Sequence, residues 1–181
     1  MQYNAFLLSG SGGQGVITAG ILLAETASLQ SGLNAIQAQS YGPEARGGAT
    51  RCDVMISKDP ILFPKVQKAD VLICLTQEAL SKYLKYLKSG GLLLTDAHFV
   101  KSVEKMEAVH CALPMYEQVM ETIGKAQVFN ICMLGALIEL TGVVDSAAIE
   151  KNLTERFAPA FHANNKKALE LGASLAKAAK K

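Results

Sequence analysis

The sequence has 181 residues, of which half are hydrophobic and 19% are charged. This length and apolar content allow a buried core, so the composition excludes a disordered chain. A formal net charge of +2 is too small to indicate a nucleic-acid partner. The longest apolar stretch, 128–144, is short for a membrane span and is interrupted by Asn130 and Glu139. We therefore expect a buried helix there, and no membrane contact.

The first two-thirds of the chain alternate short apolar runs with helical patterns, which is typical of a parallel sheet built from βαβ units. Strands are predicted at 4–9, 34–39, 49–57, 71–75, 92–95 and 108–113, and helices at 18–29 and 77–87. Gly90-Gly91 is predicted as the turn before the fifth strand. After Pro114, three or four helices are predicted, with breaks at Gly124, Gly142 and Pro159. The expected fold is α/β: a single Rossmann-like domain over residues 1–181, with a mainly parallel sheet flanked by helices and a helical C-terminal portion.

The four cysteines lie far apart, each inside an apolar segment, and none belongs to a Cys-x-x-Cys pair: Cys52, Cys74, Cys111 and Cys132. We expect reduced core thiols in a cytoplasmic protein, rather than ligands of an iron–sulfur cluster or zinc. The three histidines are also isolated in the sequence, so no metal site is predicted.

A glycine-rich turn, Gly10-Ser11-Gly12-Gly13-Gln14-Gly15, joins the first predicted strand to the first predicted helix. It matches G-x-G-x-x-G in the strand–turn–helix context that this pattern requires. Glycines permit a tight turn and a close approach to a ligand, and the N–H groups of a helix N-terminus favour an anion such as a phosphate. The motif alone is equally compatible with a turn that binds nothing.

The residues beyond this turn argue against the commonest nucleotides. NAD-binding turns have an acidic residue about 20 positions further on, but segment 34–40 contains no acid, and no arginine for the 2′-phosphate of NADP. A P-loop would need lysine and serine or threonine after Gly15, where Val16 and Ile17 stand. NAD, NADP and ATP are therefore disfavoured, whereas another phosphate-bearing ligand stays open.

A second unusual block, Tyr41-Gly42-Pro43-Glu44-Ala45-Arg46-Gly47-Gly48, is by itself compatible with a surface turn containing an Arg46–Glu44 pair. Other distinctive segments are 56–61 (Ile-Ser-Lys-Asp-Pro-Ile), 130–136 (Asn-Ile-Cys-Met-Leu-Gly-Ala) and 165–169 (Asn-Lys-Lys-Ala-Leu). In order and spacing, these segments and the glycine turn resemble the gamma subunit of 2-oxoacid:ferredoxin oxidoreductases over nearly the whole chain. The block at 39–48 is more similar to the 2-oxoglutarate branch than to the pyruvate and ketoisovalerate enzymes; an indolepyruvate-type subunit is a further alternative.

The resemblance implies a subunit of an enzyme that decarboxylates a 2-oxoacid oxidatively to an acyl-CoA and reduces ferredoxin. The chain has neither the Gly-Asp-Gly start of a thiamine diphosphate motif nor a cysteine set for a cluster. Thiamine diphosphate and iron–sulfur clusters are therefore expected on partner subunits. The implied partners are the alpha and beta subunits, with a ferredoxin-like delta subunit as a further candidate and ferredoxin as the electron acceptor.

For this chain the resemblance implies a share in binding coenzyme A, whose phosphates suit the glycine turn. The expected contacts are Gly12, Gly13, Gln14 and Gly15, with Asn130 and Asn165 from the two later motifs. In the alternative interpretation, Asn130 caps the helix after Val128 and Asn165 sits in a solvated turn beside Asn164. Tyr41 and Arg46 are candidates for contact with the subunit that carries thiamine diphosphate.

The sequence shows no nucleophile with a base and no paired carboxylates in recognisable spacing, so no catalytic residue is assigned. Asp96 and His98 could be an acid–base pair, but polar residues on the rim of the sheet are preferred. The alternative function is a stand-alone nucleotide-binding or regulatory module. The low charged fraction favours instead a subunit with much of its surface buried in an assembly.

Overall fold

The computed structural model describes residues 5–39, 48–103 and 106–180, which form a six-stranded sheet with helices on both faces. The strands are β1 (Ala5–Gly10), β2 (Asn34–Gln39), β3 (Thr50–Ser57), β4 (Ala69–Cys74), β5 (Leu87–Asp96) and β6 (Val109–Leu113). The helices are α1 (Val16–Glu25), α2 (Gln77–Tyr83), α3 (Met115–Thr122), α4 (Phe129–Thr141), α5 (Ser146–Arg156) and α6 (Pro159–Ala179). The predicted α/β architecture, with a helical C-terminal portion, is confirmed.

The strand order across the sheet is β2-β3-β1-β4-β5-β6. β1, β4, β5 and β6 pair in parallel, whereas β3 is antiparallel to both β1 and β2. β2 consequently runs in the same direction as β1. The mainly parallel sheet expected from the sequence is confirmed, with β3 as the reversed strand.

The two faces of the sheet carry separate apolar clusters. Phe6 and Leu8 of β1 face a cluster that includes α1 and α4, whereas Leu7 faces a cluster with α2. The connections that leave β1 and β4 therefore lie on opposite faces of the sheet. In open α/β sheets this arrangement creates a crevice at the carboxyl ends of the two strands, where ligands bind.

Helix α4 is buried over its first ten residues, as expected for the apolar stretch 128–144. It packs against α6 so closely that Gly135 lies on the backbone of Leu169, and Gly172 on that of Cys132. A side chain at either glycine would push the helices apart. In residues 5–39, 48–103 and 106–180, no helix combines the length and apolar character needed to cross a membrane.

Two local expectations need correction. The predicted turn Gly90-Gly91 lies inside β5, where Gly90 has φ 72° and the pairing with β4 shifts register beside Val71. The glycine pair therefore accommodates an irregularity within a strand. The predicted helix 18–29 begins earlier, at Val16, and its end, Thr26–Gln30, is a π-helix.

The π-helix begins at a contact with a residue that is remote in the sequence. The carbonyl of Leu22 accepts hydrogen bonds from Thr26 Oγ1 at 2.7 Å and from Asn152 Nδ2 of α5 at 3.3 Å. Asn152 Nδ2 also donates to Thr26 Oγ1 at 2.9 Å. The Leu22 carbonyl also accepts from the backbone N–H of Thr26, so this contact with α5 lies at the junction of α1 and the π-helix.

Candidate functional site

The glycine turn lies at the carboxyl end of β1, beside the crevice. Gly13 has φ 89° and Gly15 has φ 72°, a conformation that other residues rarely adopt. Gly15 is the N-cap of α1 and no side chain caps the helix there. The first N–H groups of an α-helix have no intrahelical partner, and together with the helix dipole they favour an anion at this position.

The side chain of Gln14 stabilises the conformation of the turn. Its Oε1 accepts a hydrogen bond from the backbone N–H of Ser11 at 2.7 Å, and its Nε2 donates to the carbonyl of Leu75 at 3.4 Å. Because Leu75 follows β4 directly, the side chain links the two sides of the crevice. The amide of Gln14 therefore positions the turn, and the ligand contact predicted for this residue stays a prediction.

The glycines of the turn differ in what surrounds them. A Cβ atom at Gly10 would collide with the side chain of Gln14, and one at Gly15 would lie 2.5 Å from Asn130 Nδ2. A Cβ at Gly12 or Gly13 would meet no described atom within 4 Å. Gly12 also lacks a positive φ. Neither packing nor strain within the described residues requires glycine at position 12, which favours the close approach of a molecule from outside the chain.

Asn130 is joined to the turn across 115 residues of sequence, because its Nδ2 donates to the carbonyl of Gly15 at 3.2 Å. The side chain does not cap α4: Val128 occupies the N-cap position and Asn130 lies inside the first turn. Asn130 is 6% exposed, and its buried Oδ1 has no hydrogen-bond partner among the described residues. Leaving a buried acceptor unpaired costs about 1–3 kcal/mol, so this atom is suited to a donor supplied by a ligand.

Asn165 is a buried residue of α6, 4% exposed, so the solvated turn considered for it is wrong. Its spacing from Ala168, Leu169 and Gly172 places it on the face of α6 that packs on α4. Its Nδ2 is a second buried atom without a partner in the described part of the chain. The structure records no hydrogen bond between Asn165 and the glycine turn, so a shared ligand remains a prediction for this residue.

Asp96 is fully buried at the end of β5, rather than on the rim of the sheet as preferred from the sequence. Its two carboxylate oxygens accept hydrogen bonds from the backbone N–H groups of His98, at 2.9 Å, and Tyr116, at 2.8 Å. Burial raises the pKa of this carboxyl group, and these hydrogen bonds oppose the rise. The imidazole of His98 contacts Glu117 instead, at 3.0 Å. The two side chains do not form an acid–base pair.

Sequence reasoning missed a group of four rings that we call the aromatic cluster: His98, Phe99, Tyr116 and Phe129. Successive ring centroids lie 4.7, 4.8 and 5.6 Å apart. The rings come from three elements that Asp96 and the packing of α4 bring together. No local sequence pattern predicts this cluster. A weak hint is Asp96, an acidic residue that ends an apolar strand.

The remaining predicted features are structural or lie outside the described residues. All four cysteines are buried and unbonded to one another, and burial raises the pKa of Cys52 to about 11. Where the structure describes the chain, no group of three or more histidine, cysteine or acidic residues could hold a metal ion. Tyr41 and Arg46 fall in the segment 40–47, outside the described residues.

Comparison with known proteins gives a consistent set of relatives. The family model described as pyruvate ferredoxin/flavodoxin oxidoreductase matches residues 5–175. The 2-oxoglutarate synthase subunit KorC of Methanocaldococcus jannaschii is 43% identical over 173 residues, which cover 94% of this chain and 92% of that protein. The solved gamma subunit of a keto/oxoacid ferredoxin oxidoreductase from Geobacter sulfurreducens PCA superposes with a TM-score of 0.89. It is 41% identical, over 97% of this chain and 99% of that one.

A more distant structure shares the fold within a longer chain. The 2-oxoglutarate:ferredoxin oxidoreductase of Magnetococcus marinus, solved with 2-oxoglutarate, coenzyme A and succinyl-CoA bound, superposes with a TM-score of 0.88 at 22% identity. The match covers 98% of this chain but 32% of that chain. The same α/β unit is therefore one part of a larger polypeptide there.

Proposed function

Because the chain belongs to the pyruvate ferredoxin/flavodoxin oxidoreductase family, we propose that its glycine turn and Asn130 bind coenzyme A in an assembled enzyme. The chain is a subunit of a 2-oxoacid:ferredoxin oxidoreductase of the 2-oxoglutarate synthase type. The proposed reaction is the oxidative decarboxylation of 2-oxoglutarate to its acyl-CoA, with reduction of ferredoxin.

The observation that carries the proposal is the unpaired, buried Oδ1 of Asn130 beside the uncapped N-terminus of α1. This site favours an anion at the helix N–H groups and a hydrogen-bond donor at the asparagine oxygen. Coenzyme A offers both, since it carries phosphates together with amide N–H and hydroxyl groups. The open space at Gly12 gives its phosphates a close approach to the backbone.

In this proposal the residues of this chain bind and orient coenzyme A, whereas the reacting groups belong to coenzyme A itself and to cofactors on other subunits. Coenzyme A supplies the thiol that receives the acyl group, and thiamine diphosphate and iron–sulfur clusters are proposed to lie on partner subunits. The turn would hold the phosphates. Asn130 would hydrogen-bond to both the Gly15 carbonyl and the ligand, and Asn165 is a further candidate contact. Such fixed positioning lowers the entropic cost of bringing the thiol to the reacting carbon.

The proposed partners are the alpha and beta subunits of the same enzyme, with a ferredoxin-like delta subunit as a further candidate and ferredoxin as the acceptor. The M. marinus match supports a unit that works beside others, because the same fold forms about a third of that chain. A stand-alone nucleotide-binding module has no comparable support.

The test uses the enzyme co-expressed with its partner subunits, purified anaerobically and assayed by 2-oxoacid-dependent reduction of methyl viologen. The variant is Gly12→Ala, and the control is Ser31→Ala, an exposed change beyond the other end of α1. We expect Gly12→Ala to raise the KM for coenzyme A about tenfold or more, because the added methyl group blocks a close backbone contact. The KM for 2-oxoglutarate should stay unchanged.

Two results would count against the proposal. An unchanged KM for coenzyme A in Gly12→Ala would remove the turn from the binding site. A preference for pyruvate, ketoisovalerate or indolepyruvate in the unmodified enzyme would overturn the proposed substrate, but not the role of the turn.

A further inference from the structure

We propose that the aromatic cluster is the base-binding part of the same site and takes the adenine ring of the ligand whose phosphates lie on the glycine turn. This inference rests on the proposed function. It adds a second set of residues, none of which the sequence motifs contain.

The cluster and the turn share one edge of the sheet. His98 and Phe99 follow the carboxyl end of β5, and Tyr116 begins α3 after the carboxyl end of β6. The glycine turn follows β1, and β4 alone separates β1 from β5. Neighbouring strands lie about 4.8 Å apart, so the two strand ends are about 10 Å apart. One extended ligand can therefore reach both.

The first turn of α4 fixes the cluster relative to the glycine turn. Asn130 donates to the carbonyl of Gly15, and the preceding residue, Phe129, packs its ring 5.6 Å from that of Tyr116 and 6.2 Å from that of Phe99. Consecutive residues of a helix thus contact the phosphate-binding and the aromatic groups. A nucleotide has the same organisation, since a ribose holds its base at a set distance from its phosphates.

The cluster has a buried floor and a partly open rim. Phe129 is 3% exposed, whereas His98, Phe99 and Tyr116 are half-buried. Partly exposed aromatic rings bind a purine by stacking, which requires no hydrogen bonds to the base. Asp96 holds the backbone of His98 and Tyr116 in place before any ligand arrives, which lowers the entropic cost of binding.

The charges near the cluster also favour a base over a phosphate. The carboxylate of Glu117 lies 3.0 Å from the imidazole of His98, on the exposed side of the cluster. A phosphate beside this carboxylate would be repelled, whereas a neutral adenine would not. The diphosphate accordingly belongs over the N-terminus of α1 and the base over the rings, with the 3′-phosphate of the ribose directed away from Glu117.

The test measures binding to the assembled enzyme by calorimetry with three probes: coenzyme A; phosphopantetheine, which lacks the adenosine 3′,5′-bisphosphate part; and adenosine 3′,5′-bisphosphate, which lacks the phosphopantetheine part. The variant is Tyr116→Leu, which removes a ring but keeps apolar bulk. Phe161→Leu, at a 55% exposed ring of α6, is the matched control. Tyr116→Leu should weaken coenzyme A about tenfold while phosphopantetheine binding stays unchanged. Adenosine 3′,5′-bisphosphate should compete with coenzyme A on the unmodified enzyme and lose at least the same factor on the variant.

The outcomes separate the two proposals. If coenzyme A fails to bind the unmodified enzyme, the proposed function is wrong. If coenzyme A binds it and binds Tyr116→Leu equally well, the adenine site is wrong while the proposed function stands. Equal losses for coenzyme A and phosphopantetheine, or loss of partner subunits from Tyr116→Leu, would also overturn the adenine site. Phe99→Leu repeats the test if Tyr116→Leu does not fold, and Tyr116→Phe should bind normally.

Discussion

At the scale of single residues, the glycines of the turn serve two purposes: backbone conformation and access for a ligand. Gly15 has a positive φ and lies against Asn130, so the chain itself requires glycine there. Gly12 has neither constraint among the described residues. The same residue type therefore serves folding at one position and, in our proposal, ligand approach three residues earlier.

This difference predicts the effect of Gly15→Ala on stability. The substitution places a Cβ in a left-handed backbone conformation and against the Asn130 amide, so we expect a loss of about 3 kcal/mol in the free energy of unfolding. Gly32→Ala is the matched control, because Gly32 has a similar φ of 65° but open space around it. Backbone strain alone should cost about 1 kcal/mol there.

Denaturant unfolding of both variants measures the difference. Adding Asn130→Ala to Gly15→Ala should recover part of the loss, because the obstructing amide is removed. If the two substitutions are additive, the contact between these residues does not explain the requirement for glycine.

What the sequence could reveal about these residues differs from one to the next. The local pattern identified the glycine turn, because its spacing and its strand–turn–helix context are contiguous. Asn130 was selected by resemblance, and its bond to Gly15 is a long-range contact that no local pattern encodes. The burial of Asp96 was missed for the same reason: its partner Tyr116 comes from the next strand–helix connection.

At the scale of elements, β3 carries an ion pair that secures the segment after it. The guanidinium of Arg51 binds Asp53 at 2.7 and 2.8 Å, donates to the carbonyl of Val66 at 2.8 Å, and lies 4.4 Å from the ring centroid of Tyr86. Asp53 also accepts from the N–H of Val66 at 3.3 Å. Both charged side chains are about nine-tenths buried.

Removing one member of this pair should be more harmful than removing both charges. Arg51→Met leaves a buried carboxylate without its partner, and we expect a loss of about 3–5 kcal/mol in the free energy of unfolding. Arg51→Met combined with Asp53→Asn should lose less, because the neutral amide can still accept from Val66. Equal losses in denaturant unfolding would show that the packing of the Arg51 side chain, rather than its charge, stabilises β3.

The elements themselves were largely predictable, because buried strands of parallel sheets are short apolar runs and the C-terminal helices are separated by glycine or proline. The errors have longer-range causes. Gly90-Gly91 looks like a turn, but pairing with β4 keeps it inside a strand. The π-helix after α1 begins at a contact with Asn152 of α5, which no local pattern encodes.

At the scale of the whole molecule, the order of the strands determines where a ligand can bind. The sequence indicated βαβ units, but the insertion of the reversed strand β3 between β2 and β1 could not be derived from alternating patterns. On the other edge of β1, β4 is its parallel neighbour, and the connections that leave these two strands on opposite faces open the crevice between them. The glycine turn, Leu75, the aromatic cluster and the start of α4 consequently meet at one edge.

This convergence predicts which amides coenzyme A will protect from hydrogen exchange in the assembled enzyme. Segments 11–17, 97–100, 115–117 and 128–131 should all be slowed together, although they are far apart in sequence. At a concentration 100 times the Kd, exchange that requires ligand release should slow by up to about 100-fold. Segment 31–33, which follows α1 at its other end, is the internal control and should exchange at its unliganded rate.

NAD is the external control: β2 offers no acidic residue for its ribose, so it should protect none of these segments. Protection by NAD equal to that by coenzyme A would make this edge a dinucleotide site. Protection confined to 11–17 and 128–131 would keep the phosphates on the turn and place the base elsewhere.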